Sequence, residues 1–383
     1  MRRATLPLYA GGFLGPFGGG MLVALITSVA SDLDTTVRLV AIAITAYMVP
    51  FAGLQLVSGT LGERLGPGRV VRAGYVGYGA AALGCALAPS IELFIGGRAV
   101  MGAANAFLTP LLLAGLSEAV PSAVLGRSVG TFAAVQVAGL SLAPVLGGAL
   151  GEISWRLAFG LVAAVSIALA TVPLALARTR DLDRPAPRLR TLANRWIGLV
   201  SSAACCGYLG FTAIGFVVAL VVAEEYGLGP AASGLVVASY GAGGILFGRL
   251  GGIVADRAGR PLTTIAGGLA CAAGVLGLAF APNVWSLTLL YFAIGCGSAF
   301  AWAGLNTIAV ESFPDNRAGA VSVYSAFKFA GVAIAPVLYV PLLEDDPSLP
   351  FLVAAGFAVG FAALVVPWLR RYRAARPAAT SSS

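Results

Sequence analysis

Arg98 and Lys328 are basic side chains inside apolar stretches that otherwise carry little charge. Gly102, Asn105 and Thr109 follow Arg98 at helical spacing, so the four residues share one helix face and form a polar stripe. A guanidinium stays charged at any working pH, so its chemistry is electrostatic: holding an anion or a carboxylate, lowering the pKa of a nearby acid, or orienting water. A charge held at the centre of a bilayer costs on the order of 3 kcal/mol. Snorkelling to the outer surface is the other way to accommodate it. Lys328 is the only lysine and stands well inside its own apolar run. Acids are confined to the ends of runs: Asp32 and Asp34 at one end of the first, Glu118 and Glu311 where the fourth and tenth finish. These terminal acids, Asp32, Asp34 and Glu118 first among them, are the candidates for carrying a proton; the alternative is that proton coupling is absent.

Other chemistry lacks its residues. Histidine is absent, so a nucleophile-and-base pair has no usual base and a metal has few ligands. Cys85, Cys205, Cys206, Cys271 and Cys296 all fall within apolar runs, with no Cys-x-x-Cys spacing, as small packing residues would. No enzyme, metal site or cofactor is expected. Hydrophobic residues make up 58% of the chain and charged ones 10%, against about 25% charged in soluble proteins. So much apolar surface requires lipid as its solvent. The net charge of +8 does not point to nucleic acid, because the arginines sit in alternate loops while the intervening loops hold acids. That asymmetry predicts a multi-pass protein of the inner (plasma) membrane with both termini cytoplasmic. No cleavable signal is expected at the start, where the first apolar run is too long for one.

The elements that position these residues are twelve apolar runs, most of them near the roughly 20 residues a bilayer requires. They fall at about 8–30, 38–61, 71–88, 91–117, 127–151 and 156–177, then 196–221, 231–254, 262–281, 285–310, 318–342 and 351–369. All are expected to be helices, since a bare loop or strand edge would leave backbone groups unpaired in hydrocarbon. The two sides also read as copies. A shift of 193 residues carries Glu63 onto Asp256, Gly66 onto Gly259, Gly102 onto Gly295 and Glu118 onto Glu311. The expected organisation is therefore a six-helix bundle over 1–177, a basic linker over 178–195, a second six-helix bundle over 196–370 and a basic, Ser-rich tail over 371–383.

Three segments carry a resemblance. Gly252, Asp256, Arg257, Gly259 and Arg260 closely resemble the cytoplasmic loop signature of the major facilitator superfamily, and Gly59, Glu63, Arg64 and Gly66 repeat it with glutamate for aspartate. In that family the loop is thought to latch the two halves; a plain positive-inside turn would need the same glycines. The stretch from Arg98 to Gly102 is similar to the family's fourth-helix motif, in which the arginine is linked to proton transfer. Gly139, Pro144, Gly147 and Gly148 look like the antiporter motif of its drug–proton exchangers, with Ala143 replacing a glycine, and Trp155-Arg156 follows as it does there. Proline and small residues at that spacing give a kinked helix with a close, dry contact.

In the second half Tyr208, Phe211, Tyr240, Tyr291, Trp302, Asn306, Tyr324 and Lys328 together suit an amphiphilic cavity, although each aromatic singly is better explained by packing or lipid contact. The resemblance implies a twelve-helix transporter working by alternating access as a monomer. Its partners would be a small apolar or cationic substrate moving outward, protons moving inward, and the surrounding bilayer. A sugar, nucleoside or amino-acid exporter or facilitator of the same fold, or a non-transporting membrane receptor or scaffold, are the alternatives.

Overall fold

The computed structural model describes residues 2–172, 194–311 and 317–374, nearly all of them helical. Of the expected linker only Asn194 and Arg195 fall among these residues, and of the expected tail only the part up to Ala374; the rest lies outside them. The side chains of Gly59, Glu63, Glu118 and Glu311 are likewise outside the description.

Among the described residues twelve helical rods follow one another, as the apolar runs predict. The first is broken: α1 (Arg2–Gly20) passes through a 3-10 turn (Met21–Ala24) into α2 (Ile26–Asp32). Then come α3 (Val37–Leu65), α4 (Pro67–Ala86), α5 (Ile91–Ala119), α6 (Ser122–Gly151) and α7 (Trp155–Thr171). The second repeat also opens on a broken rod, with α8 (Arg195–Gly207), a π-turn (Tyr208–Thr212) and α9 (Gly215–Glu224). It continues through α10 (Pro230–Ala258), α11 (Arg260–Leu278), α12 (Val284–Glu311), α13 (Arg317–Asp345) and α14 (Leu349–Ala374). Among the described residues, ten rods are long and apolar enough to cross a membrane. The shorter apolar α7 and α4, which opens with Arg69 and Arg72, fall outside that set.

Local chemistry sets the rod ends. Thr36 accepts from the Leu39 N–H to cap α3, Ser154 caps α7 through the Arg156 N–H, and Asn194 caps α8 through the Trp196 N–H. Between α3 and α4 stands Gly66 at φ 96°, and between α10 and α11 stands Gly259 at φ 97°. A side chain is strained at such angles, so these are the two positions of the repeated loop where glycine is required by conformation. A proline opens the following helix each time, Pro67 and Pro261, where its missing N–H costs nothing.

Contacts divide the residues into two units. One joins the first repeat to Gly215–Ala238 and Val332–Pro341; the other holds most of the rest of the second repeat. Each unit contains one copy of the same close approach. In the first, Gly102 of α5 lies against the backbone carbonyl of Tyr47 on α3; in the second, Gly295 of α12 lies against the carbonyl of Tyr240 on α10. Both partners are shifted by the same 193 residues, so the repeat seen in sequence is also a repeat of backbone packing. A methyl group at either glycine would collide with that carbonyl, whereas Gly84 and Gly356 face open space. Gly102→Ala and Gly295→Ala should each lower the melting temperature of the detergent-purified protein and its monodisperse yield, while Gly84→Ala and Gly356→Ala leave both unchanged.

Candidate functional site

Arg98 has 0% exposure. Its Nη1 donates to the Gly18 carbonyl at 2.8 Å and its Nη2 to the Gly19 carbonyl at 3.1 Å, immediately before the 3-10 turn breaks the first rod. The guanidinium lies 4.5 Å over the Tyr47 ring and 5.9 Å from that of Phe159. Around it, Asn105 Nδ2 donates to the Tyr47 hydroxyl at 2.8 Å, and the hydroxyls of Tyr47 and Tyr78 reach the Gly15 carbonyl at 3.4 and 3.5 Å. The glycines of α1 make room: Gly11, Gly15 and Gly18 lie directly under Tyr75, Asn105 and Tyr78. Where the sequence reading aims Arg98 at a cavity, the structure seals it in the first unit against a helix break. Asn105 joins it there, while Thr109 stands half-buried further along α5.

The terminal acids of the first rod are also engaged. Asp32 Oδ2 accepts from Arg156 Nη2 at 2.8 Å and from Trp155 Nε1 at 3.0 Å. Arg156 Nη1 donates in turn to the carbonyls of Ala86 and Ala88 at 2.9 and 3.0 Å, and its guanidinium lies 4.5 Å over the Trp155 ring. The cluster ties the ends of α2, α4 and α7 together. Its ion pair is open to solvent and is worth at most about 1 kcal/mol on its own. Asp34 is exposed and holds a left-handed turn at φ 47°.

The four positions of the α6 motif face backbone. A methyl group at Gly139 would stand 2.5 Å from the Phe13 carbonyl, and one at Gly147 would stand 3.0 Å from that of Met21. On the other flank Gly148 meets the Pro230 carbonyl, and the Pro144 carbonyl meets Gly234. Beyond the motif Glu152 Oε1 accepts the Ala231 N–H at 3.0 Å, capping the first turn of α10 with a carboxylate. Within this same unit Thr45 of α3 donates to the Ala333 carbonyl of α13 at 2.6 Å.

In the second unit the π-turn presents Tyr208 to α12 and α13. Lys328 Nζ lies 5.3 Å from the ring centre of Tyr208, 5.6 Å from Trp302 and 5.3 Å from Tyr324. The Tyr324 hydroxyl donates to Asn306 Oδ1 at 2.7 Å. Phe211 is fully buried behind Trp302, with the two rings 5.5 Å apart. Tyr240 and Tyr291 form a separate stack at 5.3 Å, with the Tyr240 hydroxyl 3.1 Å from that of Thr212 in the π-turn. The sequence candidates thus resolve into a lysine cage (Tyr208, Trp302, Asn306, Tyr324, Lys328), its backing (Phe211) and a tyrosine stack (Tyr240, Tyr291). Of the repeated loop, Arg64, Asp256 and Arg257 are exposed, and Arg260 opens α11, where its carbonyl accepts from Thr264 at 2.8 Å.

The sequence profile of the Major Facilitator Superfamily matches residues 8–198 and 200–383. The chain belongs to this superfamily. Among its relatives, the uncharacterized MFS-type transporter EfpA of Mycobacterium tuberculosis is 33% identical over 137 residues, which are 36% of this chain and 25% of that protein. The multidrug efflux pump LfrA of Mycolicibacterium smegmatis is 34% identical over 110 residues, 28% of this chain and 22% of the pump. The uncharacterized MFS-type transporter YceJ of Bacillus subtilis is 23% identical over 303 residues, 76% of each chain. The first of these alignments thus span only about a quarter of the relative's length. The crystal structure of a D-xylose–proton symporter superposes with a TM-score of 0.77 over 94% of this chain and 96% of that one at 16% identity, which shows a shared fold. These relatives are named as transporters, not enzymes.

Within this superfamily fold, sequence reasoning missed the partners more than the residues. Tyr78 beside Arg98, the Glu152 cap and the Thr212 contact were not foreseen. The repeat held one clue, since the shift that pairs Arg98 with Tyr291 also pairs Tyr47 with Tyr240, and both pairs touch. Arg98→Ala should cost stability directly, because two buried carbonyls lose their donors at about 1–3 kcal/mol each. Arg98→Lys, able to serve one of them, should fall between. Thermal unfolding of the purified variants checks the order, and a melting temperature unchanged in Arg98→Ala would refute it.

Proposed function

We propose that the chain is a secondary active transporter that exports a small amphiphilic compound by alternating access, in exchange for protons. The α6 contact carries this reading. Gly139, Pro144, Gly147 and Gly148 resemble the antiporter motif of drug–proton exchangers and make the close contact with α1 and α10 that such a motif implies. The pump LfrA, named for multidrug efflux, supports the same class. The two repeats, 1–177 and 196–370, would act as the moving bodies, with the 178–195 linker, the 371–383 tail and both termini in the cytoplasm of an inner-membrane monomer. Asp256, exposed beside Gly259, would belong to a cytoplasmic latch with Glu63.

Arg98, committed to the first rod, would act by holding the break in place rather than by touching substrate. For the proton step Asp34 and Glu118 are the acids to test first, since Asp32 already serves Arg156 and Trp155.

Proteoliposomes with an imposed pH gradient test the reading. Fluorescent amphiphiles should move against the proton flow, and the movement should collapse with a protonophore. Movement indifferent to the gradient, or none in either polarity, would overturn it. In the same assay Asp256→Asn should slow flux several-fold at unchanged melting temperature. A reporter fused within 178–195 should read out as cytoplasmic.

A further inference from the structure

We infer that the cage around Lys328 is an anion-binding subsite, and that the compound this transporter carries is an amphiphile bearing a carboxylate next to a planar apolar body. The inference rests on the export reading for the direction of flow, but the site stands on its own geometry.

Lys328 is half-buried, and among the described residues no acid forms an ion pair with it. Its ammonium group lies against the rings of Tyr208, Trp302 and Tyr324 at 5.3–5.6 Å. Aromatic faces attract a cation, each contributing about 0.5–2 kcal/mol, but they accept none of its three strong N–H bonds. A half-buried ammonium with no acid beside it leaves its donors open to an arriving anion. The neighbouring groups complete a receptor for one. Asn306 is exposed and its Oδ1 is held by the Tyr324 hydroxyl, which leaves its amide N–H2 to serve as a second donor. Trp302 is fixed from behind by Phe211 and Phe361 at 5.5 and 5.8 Å, and Tyr208 by Phe329 at 6.4 Å, so the rings form a backed wall. An ammonium, an amide N–H2 and flat aromatic surface match a carboxylate joined to an aromatic or other planar body. A charge-assisted bond of this kind is about twice as strong as a neutral one.

The same geometry disfavours the cationic substrate expected from resemblance. A positive group would meet Lys328 directly, and the ring faces that would receive it are already occupied. No Asp or Glu lies in the middle of any apolar run to offset this.

The test is binding by the purified full chain in detergent, read from Trp fluorescence and calorimetry, with naphthoate, naphthamide and naphthylmethylammonium as probes of equal shape. Naphthoate should bind at least about tenfold tighter than the amide, and the ammonium probe weakest, as one charge-assisted bond implies. Lys328→Gln should erase the preference for the acid, and Lys328→Arg should keep it within a few-fold, both at the wild-type melting temperature. Equal binding of acid and amide, or a preference that survives Lys328→Gln, would overturn the anion site. If Lys328→Gln fails to fold, Asn306→Leu serves instead and should weaken naphthoate more than naphthamide; equal weakening would count against the site. Flux of the same probes in proteoliposomes separates the two readings. Selective binding without flux would sink export and leave the anion site standing, while proton-driven flux of the ammonium probe would do the reverse.

Discussion

A helix that breaks inside hydrocarbon frees carbonyls that no water can satisfy, and in the first repeat a single guanidinium answers for two of them. α1 gives way to a 3-10 turn at Met21, and Arg98 reaches from α5 to the carbonyls of Gly18 and Gly19 just ahead of it. Its position explains much of the surrounding composition. The glycines of α1 admit Tyr75, Tyr78 and Asn105 onto the helix backbone, Tyr47 lies under the guanidinium, and Gly102 lets α3 and α5 approach until backbone meets side-chain-free backbone. Replacing any one of these alters the fit of the others, because they share a few carbonyls and one cation.

The second repeat places no charge at the equivalent position. Its first rod breaks as a π-turn, the counterpart of Arg98 is Tyr291, and the counterpart of the cation–π contact is the Tyr240–Tyr291 stack. Thr212 closes the arrangement through the Tyr240 hydroxyl. A cation set among aromatic rings in this repeat stands elsewhere, on α13 at Lys328. That divergence is chemically informative: the Arg98 guanidinium donates to two backbone carbonyls, whereas Lys328 faces aromatic rings.

Much of this was legible in the residues. The apolar runs gave the rods, and the glycine-bounded loops gave the two turns whose φ near +97° admits no other residue comfortably. The constant shift exposed a repeat that proves to be a repeat of contacts. Direction was harder. The stripe of Arg98, Gly102, Asn105 and Thr109 is a true helix face, yet spacing along one helix cannot say which neighbouring helix that face meets, and here it meets a broken backbone. Asp32 and Glu152 look alike in sequence as acids at rod ends. One anchors an arginine and the other caps a helix, because their partners lie 124 and 79 residues away along the chain.

The strong and weak contacts are also sorted in space. Charged, fully buried hydrogen bonds lie within the first rods' neighbourhood, where any loosening would strand polar groups in lipid. Along the flank of α6 that faces α10, the contact is close backbone packing at Gly148 and Gly234, finished by the carboxylate of Glu152 at a solvent-open end. Between helices in lipid the hydrophobic effect gives little attraction, so such a contact holds by dispersion over a short, well-fitted surface. It can part and re-form without exposing a buried charge, whereas the Arg98 core cannot. The export mechanism proposed above would need that division, with bundles intact while helices shift against one another. The placement of glycine at the seam and arginine at the break supplies it from residue type alone.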